Sequence, residues 1–196
     1  RPVVSGEVPR PVPLIDAYEL AAGWAAEWRS DAELILVSMQ AEYPHDVPIA
    51  TPTAASASSG YYLFTFAGPK SGDEWPRLTL AVGRQSGTIY HESEMTSAVE
   101  PPAGVDDLLT ELPIPAEQAF TVAERVVGVD YRQGCEDSRR QVQVVLDTTD
   151  RDSPAWVVVY FDDRERSVND IIVRINASTG ETRSDIKDDS SCNPPA

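Results

Sequence analysis

The chain has 196 residues, enough for one large domain or two small ones, and 41% of them are hydrophobic. Its 32 acidic and 16 basic side chains leave a formal charge of −16, which argues against binding nucleic acid or an anionic membrane, since both need a basic face. No apolar run approaches the ~18 residues of a membrane helix, so any membrane attachment would be through an N-terminal anchor.

Residues 1–13 are Pro-rich and predict an extended leader, of the kind that tethers a domain below a signal or lipid anchor. After it, Ala17, Leu20, Ala21, Trp24 and Trp28 recur at three- and four-residue steps and predict a helix over roughly 17–29. Asp16 followed by Glu19 resembles a capping box. The Trp pair lies on the apolar stripe and is expected in the core. Glu33–Gln40 predicts a strand, and 43–59 a long Ser/Ala-rich loop. Tyr61–Phe66 and Arg77–Val82 predict two more strands. A glycine turn at Gly87 leads into a return strand over Thr88–Glu92.

Residues 97–112 read as a linker with a short acidic amphipathic stretch at 106–112. Beyond it, Pro115–Val127 predicts a helix with proline in its first turn, where a missing N–H costs nothing. Strands are expected at 141–146, 155–161 and 171–176, followed by a glycine turn at Gly180 and a return strand.

The two halves align in element order. Val12-Pro13 with Ala17, Leu20 and Ala21 matches Ile114-Pro115 with Ala119, Val122 and Ala123 at one constant spacing. Tyr61–Phe66 matches Trp156–Phe161, and Gly87 matches Gly180. The expected fold class is therefore α+β in two repeated units, each one helix packed on a three- to four-stranded antiparallel sheet. The expected organisation is a leader at 1–13, a first unit at 14–96, a linker at 97–112, a second unit at 113–187 and a tail at 188–196.

Cys135 and Cys192 both have polar neighbours, and two exposed free thiols would be a liability, so a disulfide between them is expected. In the chain-entropy model, closing so long a loop would stabilise by roughly 4 kcal/mol. Such a bond places the protein in an oxidising, extracytoplasmic compartment. The alternative is two unpaired thiols in a cytosolic protein.

Candidate chemistry is sparse. His45 and His91 are each flanked by acid. A metal site using His91 with Glu92 or Glu94 would lack the spaced second histidine of zinc enzymes. Asp147, Asp150 and Asp152 crowd one turn, without EF-hand spacing or its closing glutamate. Asn176-Ala-Ser178 fits a glycosylation sequon, but Asn176 reads first as a turn former. There is no Gly-x-Ser-x-Gly turn and no Gly-rich loop opening a helix. No catalytic residue, metal ligand or cofactor site is assigned, and an enzyme is not expected.

Ile114-Pro-Ala-Glu-Gln-Ala, the paired β-runs and the Asn176-Ala-Ser-Thr-Gly-Glu181 turn resemble the PepSY (peptidase propeptide and YpeB) domain. The first half departs from the pattern in its turn, Gly83-Arg-Gln-Ser-Gly-Thr88, and in its long loop. The resemblance implies a bacterial extracytoplasmic module without catalysis, and carries over no binding residue. Its expected partner is a protein, such as a peptidase or an envelope sensor. A divalent-metal or small-ligand binding protein of the cell envelope is the alternative.

Overall fold

The computed structural model describes residues 11–42, 59–129, 141–161 and 169–186. Helix α1 (Leu14–Trp28) is followed by strands β1 (Glu33–Glu42), β2 (Ser59–Ala67), β3 (Trp75–Gly83) and β4 (Ile89–Ser97). Short helix α2 (Asp106–Glu111) precedes α3 (Ala116–Ala123), which runs on into a π-helical turn, Glu124–Gly128. Strands β5 (Gln141–Asp147), β6 (Ala155–Phe161), β7 (Asn169–Asn176) and β8 (Thr182–Ile186) complete the order.

All eight strands belong to one antiparallel sheet, in the order β4-β3-β2-β1-β5-β6-β7-β8. This overturns the expected fold class of two repeated units with separate small sheets. The joining ladder is β1 with β5, from Ser38↔Val145 to Glu42↔Gln141. Met39, Ala41, Val142 and Val144 are fully buried on the same face of that ladder. One hydrophobic cluster, from Leu14 on α1 to Ala177 after β7, spans both halves. The physical reason is that a small sheet ending at β1 would leave a long apolar edge exposed, and pairing with β5 removes it.

Strand alternation sends Val37, Met39, Tyr62, Phe64, Phe66, Leu78, Leu80, Trp156, Val158, Val173 and Ile175 to the face the helices cover. Helix α1 lies over β2 and β3, whereas α3 lies over β6 and β7. The segment 97–112 contributes to the same core. Val105 donates its N–H to the Leu34 carbonyl at 2.7 Å, and both Val105 and Leu109 are buried. Asp106 accepts from the Tyr18 hydroxyl at 2.8 Å and the Leu34 N–H at 2.9 Å.

On α1 the buried stripe is Leu14, Ala17, Ala21 and Ala25, with Trp28 partly covered. Leu20 is 36% exposed and Trp24 is 46% exposed, so Trp24 is not the core residue its spacing predicts. Four small and medium side chains let the helix sit close to the sheet. The larger Leu20 and Trp24 stay on its flank. The helix begins at Leu14 after Pro13, and no side chain of its own first turn caps it. The cap comes from the second half of the chain instead. Glu117 Oε1 on α3 accepts the Leu14 N–H at 2.7 Å.

The two glycine turns have left-handed backbones, with φ of +62° at Gly87 and +77° at Gly180, a conformation only glycine takes freely. Each turn sits beside the segment that leads into a helix. Val12 donates to the Arg84 carbonyl at 2.7 Å, and Ile114 donates to the Ala177 carbonyl at 3.1 Å.

Replacing Glu117 by alanine should destabilise the fold by about 2 kcal/mol, because it orphans a helix N–H and removes a partner of buried Tyr62. Urea unfolding should show a lower midpoint with an unchanged slope. A midpoint equal to the wild type would mean that this tertiary cap contributes nothing.

Candidate functional site

The second face of the sheet has a different character. Alternation places Leu36, Leu63, Val145, Val157 and Ile172 there, with Ser38, Gln40, Gln143 and Thr65 between them. Leu36 is 43% exposed, and Leu63, Val145, Val157 and Ile172 are half-buried. All three helices place their buried side chains in the cluster on the opposite face. The second face is thus mixed: Ser38, Ala81 and Val159 are buried on it, and among the described residues no helix covers it. Thr65 and Thr79 share a cross-strand hydrogen bond on it at 3.1 Å.

This face runs out to β4, which is exposed from Tyr90 to Thr96 and pairs only with β3 among the described residues. A register shift at Ala81/Val82 leaves Tyr90 as the extra residue of a bulge. Tyr90 reaches back to make an edge-on contact with Tyr61 on β2, with ring centres 5.8 Å apart. Gly83, the cross-strand partner of Tyr61, presents no side chain on the intervening strand. His91, Ser93 and Met95 pair with Ala81, Thr79 and Arg77 and share their face. Glu92 and Glu94 pair with Leu80 and Leu78 and so point to the other face. His91 therefore cannot share a metal with Glu92 or Glu94, since adjacent strand residues point to opposite sides.

At the far end of the open face lies a depression of about 250 Å³ lined by Asp150, Ser153, Ala155, Arg174, Asn176, Glu181 and Arg183. Its charges are engaged locally. Arg174 Nη2 bonds Asp147 Oδ2 at 2.6 Å, and Arg183 Nη2 lies 3.3 Å from Glu181 Oε1. Asp147 Oδ1 accepts the Thr149 N–H at 2.9 Å and its hydroxyl at 2.7 Å. These two bonds, the backbone one first, pull the Asp147 carboxyl down to about 2 against partial burial, with Arg174 assisting. Asp150 Oδ1 accepts the Asp152 N–H at 3.1 Å. The Asp147 and Asp150 carboxylates thus fold their own turn, and no group of three His, Cys, Asp or Glu side chains converges on a metal position among the described residues. Asn176 does the same in the next turn, where its Oδ1 accepts from Ser178 N at 2.9 Å and Thr179 N at 2.8 Å.

A second hollow, of about 400 Å³, is lined by Glu33, Ala103, Gly104, Asp106, Asp107 and Arg151, and its Arg151 is bonded to the Gly104 carbonyl at 2.8 Å.

The sequence pointed to no buried charge, yet Arg84 and Glu124 are fully buried. The Arg84 guanidinium lies 5.7 Å from the centre of the Tyr62 ring. The Tyr62 hydroxyl is within bonding distance of the Val12 carbonyl (2.7 Å) and Glu117 Oε1 (2.9 Å). Burial and then the Glu117 charge push its pKa up, with Arg84 opposing. Glu124 accepts from the Tyr160 hydroxyl at 2.8 Å, inside the π-helical turn. A Cβ at Gly128 would fall 2.3 Å from Glu124 Oε1 and 2.4 Å from the Tyr160 hydroxyl, so glycine is required for this contact. These groups hold elements together and open onto no described cavity. His45, Cys135 and Cys192 lie outside the described residues, and so does the expected disulfide.

No family model matches the chain, and no curated protein matches it significantly. A solved chain from Clostridium difficile 630, provisionally described as a lipoprotein, is similar over 92% of this chain and 97% of its own, at 12% identity and a TM-score of 0.46. Likeness at that level assigns neither family nor role. Among the described residues no helix is long and apolar enough to cross a membrane.

The Asp147 carboxyl is held below its ordinary value, so its contribution to stability is present above about pH 4 and is lost as the pH falls from about 4 to about 2. The stability gap between the wild type and Asp147→Asn should be constant at neutral pH and close over that window. A gap independent of pH would show that the turn bonds do not depend on the charge.

Proposed function

We propose that the protein is a non-catalytic binding module that engages a protein partner through the β4 edge and the adjoining open face of the sheet. The observation that supports this reading is the exposure of β4. Its side chains from Tyr90 to Thr96 are all exposed, and among the described residues one of its two backbone edges has no pairing strand. Natural sheets shorten or cover such edges, because an open edge is a template for another strand. β-strand addition is the binding mode this geometry suits, with main-chain bonds giving affinity and alternate side chains giving selectivity. Met95 is 56% exposed and Tyr90 57% exposed, which places two large side chains on the edge for a partner to cover.

The polar depressions do not favour catalysis over binding. Arg174 is bonded to Asp147, Arg151 to the Gly104 carbonyl and Asp150 to the Asp152 N–H, and the hollows are shallow and open. An extracytoplasmic setting is part of the proposal. It rests on the leader composition and the expected Cys135–Cys192 bond. The Asn176–Glu181 turn keeps its likeness to the PepSY domain, and that likeness makes a cell-surface peptidase or an envelope sensor the partner class we favour. No family model supports that likeness.

A photoreactive benzoylphenylalanine placed at Met95 or at Ser93, in cells producing the protein, tests the site. Both positions should give adducts of one common mass. A probe at Glu27, on the exposed side of α1, should give none. Equal labelling from Glu27, or no adduct from β4, would overturn the reading.

A further inference from the structure

We propose that the strand completing β4 comes from a different protein and carries basic side chains two residues apart, facing Glu92 and Glu94. This rests on the reading of β4 as the binding edge and adds the chemistry of its occupant.

The charge pattern on the edge carries the argument. Glu92 and Glu94 lie on one face, next to Leu80 and Leu78 of β3, so no cation of the neighbouring strand is opposite either of them. Among the described residues neither takes part in an ion pair. A strand added beside β4 would place its own alternate residues directly opposite these carboxylates, close enough to interact.

The same pattern disfavours pairing of β4 with β4 of a second copy in the central registers. Two β4 strands meeting antiparallel about a two-fold axis keep their faces, so each residue meets one of its own face. Centred on Ser93, that pairing sets Glu92 against Glu94 of the other copy. Centred on Glu92 or on Glu94, it sets that glutamate against itself. Each central register puts like charges directly opposite, which destabilises the pair. The two glutamates therefore guard the edge against self-pairing, as charged edge residues do in natural sheets. Lysine or arginine at the same positions turns each repulsion into an attraction. The formal charge of −16 draws a cationic segment toward the surface before it docks. On the other face His91, Ser93 and Met95 form a mixed row, which suits a β-branched residue between the basic ones.

The probe is a synthetic peptide of about ten residues with lysine alternating with threonine and valine, the length of strand that β4 can pair. A second peptide carries glutamate in place of each lysine. Titrated into the isotope-labelled chain, the lysine peptide should shift the amide signals of β4 and β3, and the glutamate peptide should not. Raising the ionic strength from about 20 to about 150 mM should weaken binding. The double variant Glu92→Lys, Glu94→Lys should bind the lysine peptide about tenfold more weakly and accept the glutamate peptide instead. Both positions are exposed, and an unchanged circular dichroism spectrum checks that the variant folds. Separately, Glu92→Thr with Glu94→Thr should self-associate in sedimentation while the wild type does not.

Equal binding of the two peptides, shifts confined to other strands, or no shift at all would overturn the proposal. So would a wild type already dimeric through β4, or a threonine variant as monomeric as the wild type. If Met95 crosslinks a partner but the lysine peptide fails, the chemistry of the occupant is wrong and the binding edge stands. If both fail, the edge is not the site.

Discussion

The pairing of β1 with β5 is the constraint on which the rest of the molecule depends. It joins strands from the two halves of the chain and places Met39 beside Val144 and Ala41 beside Val142, all buried. With that ladder made, β1 and β5 become interior strands and a single apolar layer extends beneath all three helices. The remaining edges are pushed out to β4 and β8. Helix packing then follows the sheet, since Glu117 on α3 can cap α1 at Leu14 only if both helices lie on one continuous face. Tyr62 reaches the same carboxylate from β2, so strand and both helix starts share one polar junction in an apolar layer. Such a buried group is costly to leave unpaired, which makes the junction a determinant of a single arrangement.

Among the described residues the helices lie on one face of the sheet and leave the other without a helix. That asymmetry separates the structural part of the molecule from the part available to others. Arg84 and Glu124, which look like surface charges in the sequence, are buried with Tyr62 and Tyr160 and serve the packing. Asp147 and Asn176, which look like site residues, close their own turns. After these are accounted for, the unspent features are the apolar patches of the open face and the nine-residue edge strand beside it. A rigid sheet presents both in a fixed geometry. That lowers the ordering cost of adding a further strand.

Most strands were legible because their apolar runs alternate or are bounded by turn residues, and 141–146, 155–161 and 171–176 fall inside β5, β6 and β7. The extent of β4 was not legible beyond Glu92. Ser93-Glu-Met-Thr96 is exposed on both faces, so it lacks the pattern that marks a strand. The pairing of β1 with β5 was hidden for a related reason. Periodicity tells which residues face a core, but not which of two free edges will meet. A repeated element order suggested two closed units, and the long-range ladder decided otherwise. The stripe on α1 was rotated by its small residues: Ala17, Ala21 and Ala25 allow a closer approach than Leu20 or Trp24 would. The tertiary cap from Glu117 has no local signal at all, since its partner lies 103 positions away.

Native-state hydrogen exchange, residue by residue, tests the central claim that one sheet joined at β1 and β5 leaves β4 as an open edge. Amides of residues 38–42 and 141–145 should open together, within about 1 kcal/mol of the free energy of global unfolding. Along β4 every other amide, pointing away from β3, should exchange quickly while its neighbours stay protected. Exchange of the 141–145 amides while 38–42 remain protected would mean two separable units, and uniform protection along β4 would mean that its edge is already filled.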